Sequence, residues 1–160
     1  RLVGYLREAG HQVQDVEAVI EARPPRWAEF PKRLDAVRAF KALPEAQPLA
    51  AANKRVGNIL KKSEDKVAPV TDATLFVESA ERALADALES VAPRSEKAFE
   101  AGDYTASLQA LAALKAPVDA FFDTVMVNAE DPRLRANRLG LLSRLHVAMN
   151  RVADLSKLAN

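Results

Sequence analysis

LAAANKRVGNILKK, residues 49–62, is the stretch whose reading decides the fold of this chain. Placed on a helix at 100° per residue, its apolar and basic residues separate to opposite sides. Leu49, Ala52, Val56, Ile59 and Leu60 fall on one arc of about 100°, the width of a core-facing stripe. Lys54, Arg55, Asn58, Lys61 and Lys62 fall on the opposite arc, with no acidic residue among them. Such a face has two readings. One is a solvated helix surface; the other is a surface that holds a phosphate backbone and tests a base edge. Gly57 lies at the border between the arcs, where a glycine costs about 1 kcal/mol against alanine. Close approach of a neighbouring helix accounts for it, and close approach of an RNA backbone is the alternative.

Working upstream, Pro48 suits the first turn of this helix, and Pro44 breaks the one before it. That preceding helix spans 31 to 43, with Pro31 in its first turn. Leu34, Val37 and Phe40 recur at threefold spacing, while Lys32, Arg33 and Lys41 point elsewhere. Val16, Val19 and Ile20 mark a short helix over 15–22, which Pro24-Pro25 ends. Leu2, Val3, Tyr5 and Leu6 read as the apolar end of a helix already under way, stopped at Gly10.

Downstream, residues 63–74 are polar, begin with the charged run SEDK, contain Pro69 and form the longest loop. Val77, Ala80, Leu84, Leu88 and Val91 stripe a helix over 76–100, which Pro93 kinks or splits. Gly102-Asp103 makes a turn, with Asp103 capping a helix over 104–114. Pro117 starts another, bearing Val118, Phe121, Phe122, Val125 and Met126. Asp131-Pro132 is an N-cap followed by a first-turn proline. From there the last helix is expected to run towards 158, with Leu134, Leu141, Leu145, Ala148, Val152 and Leu155 inward. Arg133, Arg144 and Arg151 lie near one outward azimuth, a second basic stripe. The expected fold is an all-α helical bundle of about seven to eight helices. It forms one domain over 1–160, with possible sub-lobes 1–66 and 75–160.

Composition agrees with helix. Hydrophobic residues make up 49% and charged residues 28%, and only 5 glycines occur, with no β-branched alternating run. There is no cysteine, which removes disulfides and thiolate chemistry and fits a reducing compartment. No apolar run approaches the ~20 residues of a membrane span. The N-terminus lacks an initiator Met and a signal-peptide core, so the chain is expected to be part of a longer protein. The net charge of +1 conceals a segregation: +4 over 1–66, −8 over 67–131 and +5 over 132–160. Either the basic ends form a positive surface facing away from the middle, or the acidic middle packs against them.

Catalytic constellations are missing from the sequence. His11 and His146 are far apart, and neither has a second ligand at metal-binding spacing. His146 falls beside the apolar stripe of the last helix and reads as a packed or half-exposed structural histidine. There is no glycine-rich phosphate loop and no nucleophile motif. Asp119 and Asp123 share a helix face, as an acid and base pair would, but capping or ion pairing explains them better. An independent enzyme would need a site built from Asp119, Asp123, Tyr104 and a histidine. Arg138 falls inside the apolar stripe of the last helix. A buried guanidinium without a partner costs several kcal/mol, so Asp119 or Asp123 is expected to pair with it. KAFEAGDYTASLQALAAL, residues 97–114, resembles one helix-turn-helix of a tetratricopeptide repeat. Stacking needs at least three copies, so a local αα-hairpin is expected. A helical protein-interaction module is the alternative function.

Four blocks carry a resemblance that runs nearly end to end. They are RLVGYL at 1–6, AFKALPEAQPLAAANKRVGNILKK at 39–62, LAALKAPVDAFFDTVMVNAEDPRLRANRLGLLSRL at 111–145 and VADLSKL at 152–158. Together they resemble the C-terminal anticodon-binding region of the bacterial glycyl-tRNA synthetase β subunit. AANKRVGNILKK also looks like the AHARI-x-SI-x-RK helix of arginyl-tRNA synthetases, which share this DALR-type domain class. Asp35-Ala36-Val37-Arg38 comes close to the Asp-Ala-Leu-Arg string that names the class, and another registration puts that string just before residue 1.

The resemblance implies an all-helical domain that binds the anticodon stem-loop of glycine tRNA, in the cytoplasm and with no membrane partner. The domain itself would hold no cofactor. ATP with Mg belongs to the holoenzyme, whose α subunit carries the chemistry and assembles with the rest of the β subunit. Glycine anticodons share two cytosines, and the N4 amine of cytosine calls for a carboxylate, amide or carbonyl acceptor. Asn58 and Asn53 are the candidate readers from face geometry. Lys54, Arg55, Lys61 and Lys62 are the candidate phosphate contacts, and Arg133, Arg144 and Arg151 extend the footprint if the two helices share a face.

Overall fold

The computed structural model describes residues 13–21, 29–63 and 69–159. The expectations for Leu2, Val3, Tyr5, Leu6, Gly10, His11, Pro24-Pro25 and most of the SEDK run lie outside them. Among the described residues there are seven α-helices, three 3-10 turns and no strand. The helices are α1 (Val13–Glu21), α2 (Glu29–Lys41), α3 (Ala46–Lys62), α4 (Ser79–Glu100), α5 (Tyr104–Ala110), α6 (Lys115–Thr124) and α7 (Pro132–Met149). The turns are Ala73–Leu75, Leu111–Leu114 and Leu155–Leu158.

Local chemistry sets most boundaries. Asp131 accepts from the Arg133 amide ahead of Pro132, and Asp103 accepts from the Ala106 amide. Gly102 supplies the φ of 80° that turns α4 into α5, a conformation a Cβ disfavours. Pro48 sits in the first turn of α3. Pro93 does not split α4, which runs unbroken over 22 residues.

Some boundaries differ from the periodic reading. α4 starts at Ser79 rather than 76, because Glu78 and Glu81 form a capping box and the Glu81 carboxylate also takes the Val77 amide. Val77 is therefore outside the helix and 65% exposed. α6 ends at Thr124, which leaves Met126 beyond it and 72% exposed. Ile20, read as inward, is exposed at the edge of α1. α7 stops at Met149 instead of running towards 158. The Asn150 amide donates to the His146 carbonyl at 2.7 Å, and the chain turns away there. Val152 and Leu155 are buried as expected, but the turn at Leu155–Leu158 places them, not a continued helix.

The buried apolar side chains, from Val16 to Leu158, form one connected core. α3 packs against α7 and the Leu155–Leu158 turn, and touches α6 on its other flank. The Gln47 side chain donates to the Leu158 carbonyl at 3.0 Å, and the Asp154 amide to the Ala18 carbonyl at 2.9 Å. The α4–α5 hairpin is closed by two buried serines: each hydroxyl donates to the other's carbonyl, at 2.9 and 2.8 Å. It is one hairpin among the described residues, so nothing in the fold supports a stacked-repeat interaction module.

Two arginines correct the expected placements. Arg33, read as pointing away from the core, is buried between Phe99 and Tyr104, its guanidinium 5.2 and 5.0 Å from the ring centroids. It donates to the carbonyls of Arg151 and Val152, each at 3.0 Å, and to Glu29 at 2.8 Å. These carbonyls follow the end of α7, where helix bonding has stopped, and a buried carbonyl needs a donor. Arg138 is buried and paired, but with Glu81 at 3.1 Å and the Met126 carbonyl at 2.6 Å, not with Asp119 or Asp123. Asp119 pairs with Lys115 at 2.8 Å on its own helix.

Candidate nucleic-acid interface

The buried side of α3 carries Ala46, Leu49, Ala50, Asn53 and Val56. Its exposed side carries Gln47, Ala51, Lys54, Arg55, Asn58, Lys61 and Lys62, an arc of about 120° at 100° per residue. No carboxylate stands on that arc. Asn58 occupies its centre: Lys54, Arg55, Lys61 and Lys62 lie at i−4, i−3, i+3 and i+4 from it, the positions that are neighbours on a helix surface. A single amide, able to donate and accept, is thus ringed by four cations.

The cations of this ring differ from those that are paired with carboxylates. Lys41, Lys115, Arg138 and Arg151 each have a carboxylate partner, at 2.9, 2.8, 3.1 and 3.1 Å. Among the described residues Lys54, Lys61 and Lys62 have none. Arg55 lies over Phe122 of α6, its guanidinium 4.3 Å from the ring centroid. Such a contact is worth about 0.5–1 kcal/mol at an exposed site and leaves the N–H edge free to fork onto a phosphate. Phe122, read from sequence only as a core residue, is the missed contributor. Its spacing shows apolar character but not which cation comes to rest on it. Lys61 and Lys62 also sit in the last turn of α3, where positive charge complements the helix dipole.

Asn53 does not belong to this face. It is fully buried, and its amide exchanges two hydrogen bonds of 2.9 Å with the Asn150 amide. A side chain committed in this way cannot reach a base edge; it joins α3 to the end of α7. Asn53→Ala strands a buried amide and is expected to cost about 1–3 kcal/mol in urea unfolding. Any change in RNA affinity of the folded variant should be within about twofold, far below the effect of removing an α3 cation.

The second stripe faces elsewhere. His146 turns towards α3, and Arg144, two residues earlier, lies about 160° around α7. Arg144 donates to the Thr71 hydroxyl at 2.9 Å, and Arg151, beyond the helix end, pairs with Glu96. Both line a cleft of about 180 Å³ between α4 and α7, with Glu96 and Val147. Arg133 is well exposed near Asp131, at 3.7 Å. The basic C-terminal segment thus meets the carboxylates of the acidic middle through Arg138–Glu81 and Arg151–Glu96, while among the described residues the α3 cations pair with none of them.

Gly57 faces His146: a Cβ on it would lie 3.7 Å from the imidazole Nε2, an ordinary contact. The neighbouring helix accounts for where Gly57 sits but does not require glycine there. Gly57→Ala should therefore stabilise the protein by about 1 kcal/mol, measured as a higher urea midpoint at unchanged slope. Burial holds the His146 pKa below the ordinary 6.5, against the opposing charge of Asp154.

Among the described residues no group of three or more His, Cys, Asp or Glu is placed to hold a metal ion. No described helix is long and apolar enough to cross a membrane.

Residues 49–156 match the family model of the DALR anticodon binding domain, a span that opens with α3. The chain is 65% identical over 159 residues to the glycine–tRNA ligase beta subunit of Dechloromonas aromatica (strain RCB), covering 99% of this chain and 22% of that protein. It is 65% identical over 159 residues to the beta subunit from Thiobacillus denitrificans, covering 99% of this chain and 23% of that protein. It is 64% identical over 159 residues to the one from Delftia acidovorans, with the same coverage, 99% and 23%. The chain therefore spans less than a quarter of the length of these curated relatives.

Proposed function

Because this chain belongs to the DALR anticodon-binding domain family, we propose that it binds the anticodon stem-loop of glycine tRNA for a glycine–tRNA ligase β subunit. One observation carries the reading: the exposed arc of α3 sets the Asn58 amide inside a ring of four cations with no carboxylate. Lys54, Arg55, Lys61 and Lys62 hold loop phosphates, which fixes the RNA in position but reads no base. The Asn58 amide then meets a base edge, where its oxygen accepts from a cytosine N4 amine and its NH₂ can donate to a ring acceptor. Arg133 and the Arg144–Arg151 cleft stand on another side and are left out of this footprint.

In this reading the domain serves a cytoplasmic enzyme completed by the remainder of the β subunit and by an α subunit. ATP with Mg belongs there. The sequence has no glycine-rich phosphate loop, and the described carboxylates form no cation site. The work of the α3 side chains is to bind and orient the tRNA.

Filter binding of glycine tRNA against the same tRNA with its two anticodon cytosines changed to uracil tests the reading. Each lost base contact is worth about 1–3 kcal/mol, so the altered tRNA should bind at least tenfold more weakly. Equal, weak binding to both would reduce the face to a non-specific basic surface.

A further inference from the structure

We propose that His146 is a second base reader beside Asn58: its Nε2 accepts a hydrogen bond from the exocyclic amine of an unpaired cytosine held along the α7 flank of α3. This rests on the RNA reading above and assigns a residue that periodicity places beside the apolar stripe of α7.

Gly57 lies at the border of the cationic arc of α3. On the surface of α3 its neighbours are Lys54 at i−3 and Lys61 at i+4, both on the cationic arc. The His146 Nε2 approaches the spot where a Gly57 side chain would begin, at 3.7 Å. The imidazole edge therefore lies against the α3 position whose neighbours on the helix surface are Lys54 and Lys61. His146 is half-buried, so the ring keeps an open side.

The ring has no structural employment. Among the described residues neither ring nitrogen has a hydrogen-bond partner, while the backbone carbonyl is capped by Asn150. Asp154, beyond α7, is the charged group that acts on it. Burial favours the neutral ring, which offers one nitrogen as an acceptor and the other as a donor.

That acceptor is what the face otherwise lacks. Lysine and arginine only donate, and Asn58 has a single acceptor oxygen. Two unpaired cytosines present two amines, so one amide cannot serve both. A uracil at the same place presents its O4 acceptor instead, which the tautomer with a bare Nε2 does not hold and only the ring protonated at Nε2 does. Asn58 and His146 together supply one acceptor for each cytosine.

The test uses the 160-residue chain and three RNA stem-loops, whose loops carry CC, CU or UU at the two central positions. His146→Ala should reduce the larger C-over-U preference at one of the two positions about tenfold, with affinity for the UU loop within about twofold of wild type. His146→Phe, which keeps bulk but has no acceptor, should behave the same. His146→Gln, whose amide oxygen can accept, should restore part of the preference. A preference unchanged at both positions in His146→Ala, or in His146→Phe if the alanine variant is unfolded, overturns the assignment while leaving the RNA reading intact. Failure of the wild type to bind, or to prefer CC over UU, overturns that reading itself, and this inference with it.

Discussion

Glu81→Ala is expected to lower the free energy of unfolding by about 3–5 kcal/mol, the loss associated with breaking a buried ion pair from one side. Glu81 is fully buried, and its Oε1 accepts from three donors: Arg138 at 3.1 Å, the Val77 amide at 3.2 Å and the Glu78 amide at 3.0 Å. Removing it leaves the Arg138 guanidinium inside the protein with the Met126 carbonyl alone, and it uncaps α4 at the same time. The pair is not ideally satisfied, since Glu81 Oε2 and Arg138 Nε have no hydrogen-bond partner. Replacing both residues by apolar ones should therefore recover much of the loss, because no uncompensated charge stays behind. What remains should be close to the cap alone, about 1 kcal/mol. Urea unfolding of both single variants and the double variant measures this. A single-variant cost below about 1 kcal/mol would show that the pair does not hold α4 to α7.

Neutralising Lys54, Arg55, Lys61 and Lys62 together should weaken binding of a glycine tRNA stem-loop several hundredfold at about 0.1 M salt. Each phosphate contact on a single strand contributes about 0.7 to the slope of log K against log salt. Four contacts give a wild-type slope near −3, and about fivefold in affinity per contact at that salt. Lys61→Ala alone should bring the slope to about −2, and Lys54→Ala likewise. Arg55→Lys is the informative single change. It keeps the charge but gives up the guanidinium contact with Phe122 and the forked donor edge. The salt slope should then hold while affinity falls several-fold. A wild-type slope near zero would sink the electrostatic part of the mechanism.

Much of this could be seen before any fold was known. The Asp131-Pro132 and Gly102-Asp103 signals mark helix starts that the structure repeats, and the basic arc of α3 faces solvent as its periodicity required. The errors share one cause. Asn53 sits beside Lys54 in sequence, yet 100° of rotation carries it into the core. Arg151 was placed by extending a helical phase past Met149, where the Asn150 cap ends the helix. The carboxylates of the helix preceding α7 are the expected partners of Arg138, but its partner lies 57 residues away. Arg33 gave no signal at all, because the carbonyls it serves are 118 and 119 residues distant.

The sequence by itself determined the helices, their caps and the cationic face of α3, because those depend on neighbours within about four residues. Only the tertiary structure decided which polar side chains turn inward, which carboxylate neutralises Arg138 and which ring lies under Arg55. It also separated the two basic stripes and brought His146 to the edge of the α3 face through the gap at Gly57. Those outcomes depend on how whole helices pack and rotate against one another, and periodicity along one helix holds no information about its rotation against the next.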